Sequence, residues 1–254
     1  MSATRAPIAV VSPHLDDAVL SAWLVLRRSQ ARVVTCFAGV PDKAVSGNWD
    51  SVTAGSAGRS TVGIRRSEDL RALARTNTEP VHLELLDVQY RLPSEEGDLP
   101  LRLASLLEPH VRDAEEVWIP AGLGDHVDHL MVRQAAMVAT SRHKRRYLYA
   151  DLPYGGQPAW PVDVTGGVRD ATVHVAMRGL RAPTPSSLWR STLTAVPEVR
   201  SESITVQRLT PAQRRAKYTS VAEYRSQLFA LRCARRNVLR LRRIFAYEVF
   251  WPLP

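Results

Sequence analysis

The chain has few of the features that cross-link, anchor or extend a protein. Two cysteines, Cys36 and Cys233, stand in 254 residues, too few for a disulfide framework. That usage fits a reducing compartment. No run approaches the ~18 apolar residues of a membrane span. The apolar run at positions 6–11 is too short for the core of a secretion signal, so the expected location is cytoplasmic. There is no internal repeat and no low-complexity segment, which argues against a solenoid or a fibre. No Gly-x-Gly-x-x-Gly follows the first expected strand, and His14 occupies that turn, which argues against a dinucleotide-binding oxidoreductase. No nucleic-acid-binding motif is present, and nucleic acid is not an expected partner.

What remains is ordinary globular composition, 45% hydrophobic and 23% charged. The net charge of +9 is uneven. Residues 200–254 carry twelve Lys and Arg against three Asp and Glu, which accounts for the whole excess. A basic segment attracts phosphates, anionic lipid or acidic substrates.

Strand and helix patterns alternate through the first 150 residues. Apolar or β-branched runs at 8–11, 32–38, 81–86, 116–120 and 146–150 read as strands. Helical patterns fill 18–28, 64–75 (Leu70 and Leu73 inward), 99–112 and 127–141. The expected fold is α/β, Rossmann-like, with a mostly parallel sheet and flanking helices. Prolines and glycines then crowd 153–167, and 171–177 and 203–209 alternate like strands, so a small β-rich cap is expected over 152–210. From Pro211 the pattern turns helical to about Tyr247, with an apolar seam at 231, 234, 238, 241 and 245 and arginines around it. Three regions follow: a core at 1–151, the cap at 152–210, and a long basic C-terminal helix within 211–254. The helix is expected to pack its seam on the core; a second use is contact with an anionic membrane surface or a lipid-bearing substrate, which would make the protein peripheral there.

Two segments carry chemistry. Ser12-Pro13-His14-Leu15-Asp16-Asp17 lies where strand one gives way to helix one. Ligand sites in open α/β sheets form at such carboxyl ends. His14 and Asp17 are three apart, so at a helix start both can face one metal, with Asp16 left for proton transfer. The competing structural reading is that Asp16 and Asp17 only cap a helix. The second segment, from Gly122 to His129, follows the strand at 116–120, and His126 and His129 are again three apart. Together the segments offer three nitrogen or oxygen ligands and leave groups for catalysis, the pattern of catalytic zinc.

The polar loop at 42–63, with Trp49 and Asp50, reads equally as a lid or binding loop or as a disordered surface loop. Tyr149 to Tyr154 reads as a strand end followed by a turn; the alternative is that it lines the pocket from a third side. His82, His110, His143 and His174 are isolated and read as surface or core histidines.

His14-x-Asp16-Asp17, with His126-x-Asp128-His129 about 110 residues later, resembles the PIG-L/LmbE-like deacetylases. Leu15 and Ala18 stand where the first family motif has Pro and Glu, and Val127 replaces the Pro of the second. Arg65-x-x-Glu68-x-x-x-Ala72 is similar to a family segment near the substrate. Asp87 sits where the family often has a sugar-contacting carboxylate. The resemblance implies hydrolysis of an N-acetyl or N-acyl group on an N-acetylglucosaminyl glycoconjugate, dependent on Zn2+ or another divalent metal. It implies His14, Asp17 and His129 as metal ligands and Asp16 as general base. It further implies His126, as an imidazolium, at the oxyanion or leaving amine, with Asp128 orienting it. Arg65, Asp87 and Trp49 are the candidate substrate contacts. A glycosylated natural product such as a glycopeptide is the expected substrate. A thiol-cofactor sugar precursor, a larger acyl group, or a non-catalytic sugar-binding role are the alternatives.

Overall fold

The computed structural model describes residues 7–28, 30–41, 47, 49–50, 58–92, 94, 97–154, 160–166, 185–197, 199, 203–228 and 244–254. Seven strands form one sheet in the order β3-β2-β1-β4-β5-β7-β6. They are β1 (Ile8–Ser12), β2 (Ala31–Thr35), β3 (Glu79–His82), β4 (Glu116–Pro120), β5 (Arg146–Tyr149), β6 (Thr205–Arg208) and β7 (Tyr247–Leu253). The first five are parallel. β1 and β4 are buried at every position, as expected where helices cover both faces of a parallel sheet. Glu116 opens β4 as a buried carboxylate. Arg28 neutralises it at 2.5 Å, and Arg145 also pairs with it.

The covering helices are α1 (Asp17–Ser21), α2 (Trp23–Leu26), α3 (Gly58–Ala74), α4 (Leu99–Val111) and α5 (Val127–Ala139). The expected single helix at 18–28 is two short turns that break at Ala22. In α3, Leu73 is buried but Leu70 is exposed, contrary to the inward placement of both. α4 and α5 pack side by side, burying Leu103, Leu107, Val132 and Ala136.

The C-terminal third departs most from the sequence pattern. The long basic helix is not what the described residues show. Pro211–Val221 forms α8, opened by a capping box between Thr210 and Gln213, and Arg225–Leu228 forms the short α9. Residues 229–243, which hold most of the expected seam and its arginines, lie outside the described residues. The chain then forms β7, antiparallel to β5, with Trp251 opposite Leu148. β6 pairs only with Tyr247–Phe250, so Pro252 lies beyond that ladder, where its missing N–H is tolerated. Inside β7, Glu248 is buried and accepts from Lys217 Nζ at 2.7 Å and from the Leu24 N–H at 3.0 Å. One charge pair thus joins α8, β7 and α2.

Of the β-rich cap, β6 is present; the expected strand at 171–177 lies outside the described residues. The described remainder is helical, α6 (Val162–Thr165) and α7 (Pro185–Thr194), held by edge-to-face packing of Trp160, Trp189 and Trp251. Among the described residues, no helix is long and apolar enough to cross a membrane.

Candidate metal centre

The order of the parallel strands fixes the site's place. β1 has β2 on one side and β4 on the other, so the chain reverses direction across the sheet between them. In open α/β sheets the loops leaving the strands at such a point diverge, and ligands bind between them. His14, Asp16 and Asp17 leave β1; His126, Asp128 and His129 leave β4.

The turn after β1 is shaped by its own side chains. Ser12 Oγ donates to His14 O at 2.8 Å and accepts from the Ala18 N–H at 3.1 Å. Asp17 Oδ2 accepts from the His14 N–H at 2.9 Å. This folds Asp17 back onto His14. Asp16 occupies the N-cap of α1 yet makes no side-chain cap bond. Helix capping therefore does not explain the carboxylate of Asp16. Its Oδ1 faces Arg65 Nη2 at 3.8 Å.

His14, Asp17 and His129 converge, all three buried, with one ligand atom of each within 4.8 Å of the others. Asp17 Oδ2 lies 3.3 Å from His14 Nδ1 and 3.3 Å from His129 Nε2. A tetrahedron with bonds of ~2.0–2.1 Å has an edge of about 3.3 Å, so these separations suit a metal such as zinc. The outer ring nitrogens support the same conclusion. His129 Nδ1 bonds Asp151 Oδ1 at 2.8 Å, and His14 Nε2 bonds Asp128 Oδ2 at 3.0 Å. A carboxylate only accepts, so each outer nitrogen carries the proton and each inner one is released for a metal. His129 Nε2 is buried and has no hydrogen-bond partner.

Protonation follows the same geometry. Burial lowers the affinity of His129 for a proton, but Asp17 and Asp151 outweigh it and raise the pKa to about 9. His14 is likewise raised, against its burial, by Asp128 and Asp17. Burial alone would raise Asp17, yet the two imidazoles hold it far below the usual carboxylate range. Asp16 is pushed up to about 6, by burial first and then by Asp17, with Arg65 and His14 opposing. His126 is lowered to about 4, by burial and then by the charges of His14 and His129.

That last shift corrects one expectation. His126 is neutral near pH 7, not an imidazolium. Its Nδ1 accepts from the Asp128 N–H at 3.3 Å, so Nε2 bears the proton and can donate. A carboxylate oxygen of Asp128 lies within 4.8 Å of a His126 ring nitrogen, but its hydrogen bonds go elsewhere: the carboxylate accepts from His14 Nε2, from Arg91 Nη2 at 2.6 Å and from the Val88 N–H at 3.0 Å.

The three candidate substrate contacts are linked beside the triad, Trp49 through Gln89 to Asp87 and Asp87 to Arg65. Asp87 Oδ2 lies 3.8 Å from both His14 Nε2 and Arg65 Nη1. Arg65 is buried, and its Nε has no hydrogen-bond partner. Trp49 donates its backbone N–H to Gln89 Oε1 at 3.1 Å and its indole N–H to Gln227 Oε1 at 2.7 Å. Gln89 in turn donates its N–H to Asp87 Oδ1 at 3.1 Å.

Two residues of the site were not singled out in the sequence. Asp151, in the segment expected as a turn or as a third side of the pocket, is fully buried; it backs His129, and its Oδ2 accepts from the Leu123 N–H at 2.9 Å. The signal was its place at the end of a parallel strand. Arg91 carried no signal, since only the fold brings it to Asp128. Gly124, at φ +88°, is required by Tyr154: a Cβ there would stand 2.7 Å from the Tyr154 Cβ. The close approach seats the Tyr154 ring edge-on against His129, with centroids 5.3 Å apart.

The family model PIG-L, described as GlcNAc-PI de-N-acetylase, matches residues 9–140. No curated protein sequence matches. The zinc-inhibited form of teicoplanin deacetylase Orf2 superposes with a TM-score of 0.72 at 25% identity, over 98% of each chain. The A40926 pseudoaglycone deacetylase Dbv21 has the same fold, with a TM-score of 0.72 at 24% identity over 98% of each chain. The fold extends to N,N'-diacetylchitobiose deacetylase from Pyrococcus horikoshii, with a TM-score of 0.54 at 13% identity over 98% of this chain and 84% of that one.

Proposed function

The chain belongs to the PIG-L, GlcNAc-PI de-N-acetylase, family, and from that premise we propose that it removes the N-acetyl, or a larger N-acyl, group from an N-acetylglucosaminyl glycoconjugate. The observation that carries this reading is the buried set of His14 Nδ1, Asp17 Oδ2 and His129 Nε2 with Asp16 beside it. A divalent metal held by those three atoms would polarise the acyl oxygen and make water nucleophilic near pH 7.

The other groups have separate tasks. Asp16, raised to about 6, is ionised at neutral pH and still basic enough to take the proton of the attacking water. His126 presents Nε2–H to the negative charge that develops on the acyl oxygen, a contribution of ~3–4 kcal/mol for a single donor. The proton held by Asp16 then passes to the leaving amine. Arg65 and Asp87 meet the sugar hydroxyls, and Trp49 offers its ring to a bulky aglycone. Asp128 serves His126 through its backbone N–H.

The substrate class is a glycosylated natural product such as a glycopeptide. The likeness to teicoplanin deacetylase Orf2 over 98% of both chains supports it. The charge concentrated in residues 200–254 favours an anionic or lipid-bearing conjugate over a free neutral sugar. The test is acetate release from a panel of N-acetylglucosaminyl conjugates, including glycopeptide pseudoaglycones and inositol glycosides. The protein is stripped with chelator and then given zinc. Zinc-restored release, absent in Asp16→Asn, is expected, with glycopeptides the best substrates. Best turnover of a thiol-cofactor precursor would move the substrate class. Binding of conjugates without release by any metal would replace hydrolysis with a sugar-binding role.

A further inference from the structure

Asp128 is completely buried and takes three donors on two oxygens. Oδ1 accepts from Arg91 Nη2; Oδ2 accepts from the Val88 N–H and from His14 Nε2. Arg91 cannot readily swing away. Its Nη1 donates to Leu86 O at 2.8 Å, and its guanidinium lies 4.8 Å from the Phe37 ring centroid. Leu86, Val88 and Arg91 all belong to the segment after β3, which carries neither motif. That segment therefore grips Asp128, and Asp128 grips the outer nitrogen of His14.

We propose that the Arg91–Asp128 pair is the device that fixes His14 as a metal ligand, so that Asp128 governs metal affinity more than the proton chemistry of His126. This rests on the metal site assigned above. The argument is geometric. A fully buried acceptor on Nε2 fixes the imidazole's rotation and leaves Nδ1 turned toward Asp17 and His129. His129 is fixed the same way by Asp151, but there a single backbone N–H, that of Leu123, completes the carboxylate's contacts. At His14 the same task needs an arginine from a third segment. Arg91 and Asp128 are positioning residues: they act on the metal through His14.

The test is zinc affinity of the stripped, full-length protein, measured by competition with a chromophoric chelator and no substrate present. Losing such an outer partner weakens metal binding about 10–100-fold. Asp128→Asn is expected to fall in that range and Arg91→Gln to move the same way. The double variant should be no more than about 3-fold weaker than the worse single, because the two act in one chain. Arg91→Lys should recover part of the loss. Arg32→Gln, which breaks the pair with Glu79 and the bond to His110 O and touches no residue of the triad or its outer partners, should bind zinc as the parent does. Circular dichroism establishes that each variant is folded; if Asp128→Asn is not, Arg91→Gln decides, since it leaves His14 and Val88 on Asp128. Zinc affinity within 2-fold of the parent in the folded variants, with the loss confined to kcat, would overturn the inference and return Asp128 to His126. If the parent binds no zinc, or His14→Ala binds it unchanged, the metal-site reading itself fails and this inference falls with it.

Discussion

Removing the charge of Arg65 should move the acid limb of the pH–rate profile, and the structure sets the size of the shift. Asp16 sits at about 6 as a balance: burial and Asp17 push it up, Arg65 and His14 pull it down. Arg65 Nη2 is 3.8 Å from Asp16 Oδ1. Two unit charges at that distance in an effective dielectric of ~20 attract by about 4 kcal/mol. That is a ceiling, because Arg65 is shared with Asp87. At ~1.4 kcal/mol per pKa unit, a shift of about 1–2 units upward remains for Arg65→Met. A general base works only when deprotonated, so kcat/KM falls about tenfold per pH unit below its pKa. The parent's limb should lie near pH 6 and the variant's between about 7 and 8. A metal at the triad displaces both limbs together, so the difference between them survives. Loss of a sugar contact lowers the plateau but leaves the limb in place. The assay is kcat/KM for acetate release from pH 5 to 9 at saturating zinc. A variant limb within 0.3 units of the parent's would refute the role of Asp16 as the base under the control of Arg65.

Three further outcomes follow from the same geometry. The metal-free protein should lose stability as pH rises, because His129 is raised to about 9 in the folded state against ~6.5 unfolded. Its contribution, on the order of 3 kcal/mol, is complete below ~6.5 and is gone above about 9; melting curves without zinc should show that decline, and zinc should remove it. Lys217→Met leaves Glu248 buried without its cation and should cost ~3–5 kcal/mol at pH 7; a urea-derived loss below about 1 kcal/mol would mean the pair is not the clamp described. Gly124→Ala forces a Cβ against Tyr154 at positive φ and should cost about 1–3 kcal/mol; an unchanged melting temperature would contradict the close approach.

The core was legible because buried parallel strands are continuous apolar runs, and β1 and β4 match their sequence patterns closely. The motif residues were legible because both motifs stand at strand ends. The tail was not. Its apolar spacing between 231 and 245 suggested one helix from Pro211 to about Tyr247, whereas the described residues end α8 at Val221, form only the short α9 after it and begin β7 at Tyr247. Strand β7 hides its identity in Glu248, a charge at a buried position that Lys217, thirty-one residues earlier, and the Leu24 N–H make acceptable. Asp151 was half legible for a related reason: its segment reads equally as a turn or as a pocket wall until the histidine it backs is in view.

The charges at the triad show why the site can stay open without a metal. Asp17, Asp128 and Asp151 surround two imidazoles whose proton affinities are raised by them. In the metal-free state two imidazolium charges offset the carboxylates, and Asp17 Oδ2 is held between the two inner nitrogens. A divalent cation that enters must displace those protons, and it replaces two positive charges with two. The surrounding carboxylates then face the same net charge before and after, so little rearrangement is required. The consequence is a stoichiometry: zinc binding near pH 7 should release close to two protons. Calorimetry in buffers of different ionisation enthalpy measures that number directly. A value near zero would mean that His14 and His129 are already neutral and that the carboxylates do not hold the site in the way described.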